Sequence, residues 1–281
     1  MRTIITLLCV VCISLISVGN DFSGSLFIIG GGSRPDYMMK EFIHLAGGDT
    51  SRIVIIPMAS QSPEETALFQ KNELETFGAG SVHYLLFDTV TADCDENLRI
   101  IRDATGIFFS GGDQNRLTAV MLGTGLLEEV KNIYQRGGVI GGTSAGAAVM
   151  SEIMITGDEH LTEENDEPFS SIRRNNIITA PGFGLMQNAI IDQHFVERKR
   201  HNRLISLIIE YPDLVGIGIA ESTAIHVKDG NTFTVIGENV VIVYDARNAQ
   251  QQSDDNRGNL SARNIQLHIL KSGDRFNFKN H

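Results

Sequence analysis

The sequence contains 281 residues, of which 42% are hydrophobic and 20% are charged, and an apolar content at this level excludes general disorder. Asp and Glu number 34 against 23 Lys and Arg. The formal charge of -11 disfavours non-specific binding to a nucleic-acid backbone, which requires basic side chains that displace counterions. Three cysteines are too few for a disulfide scaffold, which leaves a globular enzyme or a small-molecule binder.

The chain opens with a short basic start and an apolar run typical of a secretory signal peptide. Ser17 and Gly19 provide the small residues that a cleavage site requires. We therefore predict that residues 1–19 are removed on export to the periplasm or the extracellular space, and that the mature chain has no membrane contact. Only Cys94 then remains, so no intramolecular disulfide can form. The alternative is an uncleaved anchor helix.

Short apolar, β-branched runs alternate with helical patterns through the first half of the chain. The predicted strands are 25–29, 52–56, 82–87, 106–109 and 138–141. The predicted helices are 35–46, 63–77, 97–103 and 117–135, the last with a break near 123–125, and a further helix starts at 144. This alternation predicts an α/β fold in which helices cover both faces of a mostly parallel sheet, a three-layer α/β/α sandwich. Functional sites in such sheets lie at the carboxyl ends of the strands.

The pattern changes after about residue 212. Four short strands follow without helices between them, at 215–219, 223–228, 232–236 and 240–244. We predict that these strands extend the same sheet in antiparallel fashion. The mature chain, 20–281, would then be one domain.

The strongest local motif is the G-x-S-x-G sequence of Gly142–Gly146, which stands between a predicted strand and an Ala-rich helix. This is the context of a nucleophile elbow, a sharp strand-to-helix turn that exposes a serine hydroxyl. Ser144 is therefore the candidate nucleophile, and the backbone N–H of Ala145 is a candidate oxyanion donor. The alternative is a structural serine that caps a helix in a Gly-rich turn.

A serine nucleophile needs a general base, and His194 is the best placed of the eight histidines. It follows the apolar strand 189–193, so we expect it at a carboxyl strand end, on the same edge as Ser144. The alternative is a structural histidine. Three arginines follow in an otherwise acidic chain, and Arg200 and Arg203 would share one helical face. Such a cluster favours a pocket for a substrate carboxylate, although it also fits a solvated helix face.

Three motifs in this order carry a family resemblance. They are the GGTSAGA elbow, the turn Gly111–Gln114, and DQHF followed by R-x-R-x-x-R-L from Asp192 to Leu204. Over residues 26–244 the chain resembles the cyanophycinases, serine peptidases of family S51, which also contains aspartyl dipeptidase. The resemblance implies a class I glutamine amidotransferase-like fold for a single peptidase domain. It implies an exopeptidase that hydrolyses β-aspartyl-arginine linkages of cyanophycin through attack on the β-carbonyl, releasing β-Asp-Arg dipeptides.

The resemblance also assigns roles to individual residues. Ser144 corresponds to the nucleophile and His194 to the base, and Gly112 joins Ala145 as the second oxyanion donor. The resemblance implies an acid downstream of the serine as third triad member. The spacing of Glu159 from Ser144 matches the dipeptidase pattern, with Glu163 in reserve. The substrate-pocket positions of the family correspond to Gln114, Asp192, Gln193, Arg198, Arg200 and Arg203.

Alternatives stay open at this level. Within the family, the chain could be an aspartyl dipeptidase that acts on small aspartyl or isoaspartyl peptides. An α/β-hydrolase esterase is disfavoured because only 50 positions separate Ser144 from His194. A non-catalytic binding protein would not need the two residues together. We expect no metal and no cofactor, since the sequence has no H-E-x-x-H motif and no phosphate-loop lysine after Gly30–Ser33. Proteins of this fold often form dimers, so a homodimer is one expectation.

Overall fold

The computed structural model describes residues 24–161, 169, 171–252 and 258–279. The predicted signal peptide, residues 1–19, and the reserve acid Glu163 lie outside these ranges.

Sixteen strands and seven α-helices are formed by the described residues. The strands are β1 (Ser25–Ile29), β2 (Arg52–Ile56), β3 (Ser81–Tyr84), β4 (Gly106–Phe109), β5 (Val139–Thr143), β6 (Ile153–Glu159), β7 (Ile177–Pro181), β8 (Ala189–Gln193), β9 (Val215–Ile219), β10 (Thr223–Lys228), β11 (Thr232–Gly237), β12 (Val241–Asp245), β13 (Gln250–Gln252), β14 (Ser261–Arg263), β15 (Gln266–Leu270) and β16 (Arg275–Asn277). The helices are α1 (Asp36–Leu45), α2 (Pro63–Thr76), α3 (Asp95–Arg102), α4 (Gln114–Met121), α5 (Gly125–Gln135), α6 (Ala145–Ala148) and α7 (His201–Glu210). None of the helices in the described ranges is long and apolar enough to cross a membrane.

An eight-stranded sheet forms the centre of the molecule, in the order β16-β11-β10-β1-β5-β4-β2-β3. The five strands from β1 to β3 in this order are parallel, as the alternating pattern predicts. On the other side of β1, the strands β10, β11 and β16 continue the sheet in antiparallel fashion. The α/β class with a mostly parallel sheet and antiparallel C-terminal strands is confirmed.

The two faces of the sheet bury different apolar sets. On one face, Phe27 and Ile29 of β1 pack with Phe42 of α1 and Leu74 of α2. On the other face, the alternate β1 residues join α3, α4, α5 and strands β8, β9 and β12 in one continuous cluster. This cluster therefore connects the central sheet to strands β8, β9 and β12.

A second sheet, in the order β15-β12-β9-β8, was not predicted. The expectation that all the short C-terminal strands extend the central sheet is wrong for β9 and β12. Two glycines of β9 show the physical reason. A Cβ on Gly218 would lie 2.3 Å from Cγ of Phe195, and a Cβ on Gly216 would lie 2.7 Å from Cγ2 of Ile208 on α7. The two glycines therefore leave room for Phe195 and α7 to pack against β9.

Candidate active site

Ser144 stands at the sharp turn between β5 and α6. Its backbone has φ 54° and ψ -113°, a region that L-residues rarely adopt and that marks functional strain. The flanking glycines allow the turn to close. A Cβ on Gly142 would lie 2.4 Å from the carbonyl oxygen of Gly146, and a Cβ on Gly146 would lie 2.3 Å from that of Phe109. The turn therefore has the geometry of a nucleophile elbow.

A chain of hydrogen bonds runs from Ser144 through His194 to Glu221. Ser144 Oγ lies 2.9 Å from His194 Nε2, and His194 Nδ1 lies 2.5 Å from Glu221 Oε1. His194 follows β8 of the second sheet, whereas Ser144 follows β5 of the central sheet. The backbone N–H of His194 nevertheless donates to the carbonyl of Gly30, just after β1, with a donor–acceptor distance of 2.7 Å. The arrangement is that of a nucleophile, a base and an acid that orients the base.

The acid beside His194 is Glu221, so the prediction of Glu159 is wrong. Both ring nitrogens of His194 are already used, one by Ser144 and one by Glu221. Glu159 lies at the end of β6, where its Oε2 accepts a 3.3 Å hydrogen bond from Asn176. A signal for Glu221 was present in the sequence, because it comes just after the buried strand β9.

His194 is suited to accept a proton. Burial of the ring lowers its pKa, because desolvation disfavours the charged imidazolium. The hydrogen bond to Glu221 opposes this effect, and the nearby positive charge of Arg198 adds to it. The lowered pKa leaves the ring neutral at pH 7, with one nitrogen free to accept from the serine hydroxyl.

The predicted oxyanion donors, Ala145 and Gly112, belong to two turns that lie close together. Ala145 is the first residue of α6, and an N–H in a first helical turn has no acceptor within its own helix. The Gly111–Gly112 turn passes close by, since a Cβ on Gly111 would lie 3.8 Å from Ser144 Oγ. Gly112 has φ 139°, and a Cβ there would lie 2.0 Å from the carbonyl oxygen of Ala59. A side chain at this position would disrupt the turn.

Gln114 uses its side-chain N–H groups inside the protein. The side chain is buried, and its Nε2 donates to the carbonyl oxygens of Ile155 and Thr156 at 2.9 Å and 2.7 Å. Both acceptors belong to β6. The amide N–H groups therefore join the start of α4 to β6, and the predicted substrate contact of Gln114 stays a prediction.

Arg203 and Asp192 form a buried ion pair. Arg203 Nε donates to Asp192 Oδ2 at 2.6 Å, and its Nη2 donates to Oδ1. The two residues are 5% and 1% exposed, and their charged groups face each other inside the protein. The pair fixes the end of β8 to α7, and the predicted contact of these residues with substrate stays a prediction.

The rest of the arginine segment is not helical, contrary to expectation. Helix α7 begins at His201, and Arg200 stands at its N-cap. Arg200 Nη1 donates to the carbonyl oxygen and to Oε1 of buried Gln193, at 2.6 Å and 3.0 Å. Arg198 differs from both other arginines, because its side chain is exposed in the turn directly after His194.

Removing the Arg203 side chain is expected to destabilise the fold. Arg203→Ala removes both guanidinium hydrogen bonds of the buried Asp192 carboxylate and leaves it the longer contact to Arg200 Nη1, 3.7 Å from Oδ1. Breaking a buried pair costs up to about 3–5 kcal/mol. Urea denaturation measures this loss as a lower unfolding midpoint. Arg198→Ala is the matched control, since loss of an exposed arginine changes the unfolding free energy by less than about 0.5 kcal/mol. Equal midpoints for the two variants would contradict the buried pair.

The chain is similar in sequence and fold to known peptidases. The family model for peptidase family S51 matches residues 26–235. A cyanophycinase from Synechococcus elongatus is 35% identical over 266 residues, which cover 92% of this chain and 80% of that protein. A cyanophycinase from Geminocystis herdmanii is 34% identical over 268 residues, with coverage of 92% and 94%. The crystal structure of a peptidase from an acI-B1 Actinobacterium has a similar fold, with a TM-score of 0.65, 22% identity and coverage of 92% and 98%.

Proposed function

Since this chain belongs to peptidase family S51, we propose that Ser144, His194 and Glu221 are the catalytic triad of a serine peptidase. The hydrogen-bond chain through these three side chains is the observation that carries the proposal. The strained backbone of Ser144 supports it, because such strain persists where function requires it.

The mechanism is acyl transfer. Ser144 Oγ attacks the substrate carbonyl carbon while His194 Nε2 takes its proton, and Glu221 holds the ring in the tautomer that leaves Nε2 free. The N–H groups of Ala145 and Gly112 stabilise the oxyanion. His194 then gives its proton to the leaving amine. A water molecule, activated by the same base, hydrolyses the acyl-enzyme and restores the serine.

The proposed substrate is cyanophycin, with release of β-Asp-Arg dipeptides. Support comes from the relatives that carry this name and cover most of the chain. The bond expected above needs a correction on chemical grounds. A released β-Asp-Arg dipeptide keeps its β-aspartyl linkage, so the bond that breaks must join one dipeptide unit to the next. The attacked carbonyl is therefore not the β-carbonyl that carries arginine.

Within the arginine segment, we assign the substrate contact to Arg198. Its exposed side chain comes four residues after the catalytic histidine, and a guanidinium fork can bind a substrate carboxylate in a bidentate way. Arg200 is hydrogen-bonded to Gln193, and the ion pair of Asp192 with Arg203 joins the two ends of the segment. Arg198→Ala should raise KM about tenfold or more with a smaller effect on kcat, and an unchanged KM would contradict this role.

The test of the substrate is direct. The mature chain is incubated separately with purified cyanophycin, isoaspartyl dipeptides and α-aspartyl dipeptides, and the products are identified by mass. The proposal expects β-Asp-Arg from cyanophycin and no comparable turnover of the dipeptides. Turnover of the dipeptides alone would indicate an aspartyl dipeptidase. The Ser144→Ala protein, purified in parallel, controls for contaminating peptidases.

The pH dependence follows from the lowered pKa of His194. Catalysis requires the neutral ring, so kcat/KM should rise with pH as the imidazolium loses its proton. Because the pKa is lowered, we expect the midpoint of this rise below about pH 6.5, the value of an ordinary histidine. Initial rates between pH 4 and 9 measure it. A midpoint clearly above that of an ordinary histidine would contradict the assignment.

Export and oligomeric state are separate proposals. We propose that residues 1–19 direct export and are then cleaved, on the basis of their apolar run and small residues. Intact mass of the protein recovered from outside the cytoplasm tests this, and a mature chain that still begins at Met1 would contradict it.

A homodimer is proposed from the fold class alone, and light scattering of the mature chain would measure it.

A further inference from the structure

The end of β1 contacts all three catalytic segments. Three consecutive carbonyl oxygens of this strand end accept hydrogen bonds from different parts of the chain. The Ile29 carbonyl accepts from Ser144 N–H at 3.1 Å, and the Gly30 carbonyl accepts from His194 N–H at 2.7 Å. The Gly31 carbonyl accepts from the N–H of Ser222, next to Glu221, at 2.9 Å. The backbone of β1 thus fixes nucleophile, base and acid relative to one another.

Gly31 lies directly against the histidine ring. Its φ is 110°, and a Cβ there would lie 2.3 Å from Cε1 and 2.5 Å from Nε2 of His194. Real Cβ atoms do not approach other heavy atoms this closely, so either the ring or the strand would have to move. The ring has little room, because His194 is 8% exposed and both of its nitrogens are hydrogen-bonded.

Gly32 lies directly against the side chain of Glu221, as Gly31 lies against the ring of His194. Its φ is 69°, and a Cβ there would lie 2.7 Å from both Cβ and Oε2 of Glu221. The backbone of Glu221 is held on both sides. Its N–H donates to Glu197 Oε2 at 3.0 Å, and its carbonyl accepts from Asn239 Nδ2 at 2.9 Å. A side chain at position 32 would therefore displace the carboxylate of Glu221 more readily than its backbone.

We propose that Gly31 and Gly32 are positioning residues of the triad, and that the absence of their side chains sets His194 against Ser144 and Glu221 against His194. This inference rests on the proposed function. The two glycines act on different partners. Gly31 controls the ring that takes the proton, and Gly32 controls the carboxylate that orients the ring.

Gly31→Ala and Gly32→Ala are therefore expected to lower kcat about 100-fold, as misplacement of reacting groups by about 1 Å does, with little change in KM. The two variants should differ in their pH profiles. The hydrogen bond that Glu221 accepts from His194 raises the pKa of His194, so its loss in Gly32→Ala should lower that pKa further and move the acidic limb of kcat/KM to lower pH. A defect of folding alone would not move this limb.

Two other glycines provide matched controls for backbone strain. Gly78 has φ 96° and Gly48 has φ 62°, close to the values at Gly31 and Gly32, and a Cβ at either would meet nothing within 4 Å. Gly78→Ala and Gly48→Ala thus introduce a similar strained backbone without touching the triad. We expect both to keep the wild-type kcat and pH profile at temperatures well below their unfolding midpoints.

The rate at which a fluorophosphonate labels Ser144 gives a second readout that does not depend on the natural substrate. If the wild-type protein is not labelled, the proposed function fails. If it is labelled and Gly31→Ala and Gly32→Ala are labelled equally fast, the positioning role fails alone. Should one variant not fold, the other carries the test. Failure of both to fold, with folded controls, would assign the glycines to the fold and overturn the inference.

Discussion

Replacing Ser144 by alanine is expected to abolish hydrolysis while the protein keeps its fold. Loss of the nucleophile in a serine triad costs about 10⁶-fold in kcat. Alanine retains the Cβ of serine, so it adds no steric strain to the elbow at φ 54°. The loss of the hydroxyl removes one hydrogen bond, to His194, and hydrogen bonds of this kind contribute about 1 kcal/mol. Product mass measures the activity, and thermal unfolding followed by circular dichroism measures the fold.

Ser62→Ala is the matched control for this variant. Ser62 is exposed at the start of α2, and its side chain makes no capping hydrogen bond to the helix. We expect its turnover and its labelling by a fluorophosphonate to equal those of the wild type. Peptide mapping of the labelled wild-type protein should place the adduct on Ser144. Hydrolysis that persists in Ser144→Ala above the background of the preparation would exclude the serine mechanism.

The strands of the parallel sheet could be predicted from the sequence, and the second sheet could not. β1, β2 and β4 are short buried runs bounded by polar residues or glycines, so their first and last residues could be predicted. β9 was also predicted as a strand, but its pairing with β8 and β12 depends on contacts distant in sequence. Only the folded chain shows that Gly218 lies against Phe195. Strand propensity does not specify the partner strand.

Residues of the site could also be predicted only in part. Ser144 and His194 can be predicted because each follows an apolar strand and carries a side chain with the required chemistry. Glu221 meets both conditions after β9, yet the spacing from Ser144 favours Glu159, which is hydrogen-bonded to Asn176 instead. For the arginines, the positive charge can be predicted from the sequence, but the group that each guanidinium contacts cannot. The buried carboxylate of Asp192 accounts for Arg203 and leaves Arg198 exposed.

Substitution of Glu221 by glutamine is the second change expected to have a large effect. The amide keeps the size of the side chain but removes the charge that stabilises the imidazolium, and it can donate to Nδ1 and so hold the wrong tautomer. An equivalent change in a Ser-His-Asp triad lowers kcat about 10⁴-fold. The pKa of His194 should also fall, because the hydrogen bond and the charge of Glu221 both raise it. Steady-state rates measured from pH 4 to 9 give both quantities.

Glu159→Gln separates the two candidate acids. Its Oε2 accepts from Asn176, and the amide oxygen of glutamine can still accept that hydrogen bond. We therefore expect Glu159→Gln to change kcat less than about twofold and to leave the acidic limb in place. The reverse result, a large loss in Glu159→Gln and a small one in Glu221→Gln, would mean that the chain rearranges before catalysis. Glu221 faces His194 Nδ1 at 2.5 Å in the resting protein, so no rearrangement is required for it to orient the base.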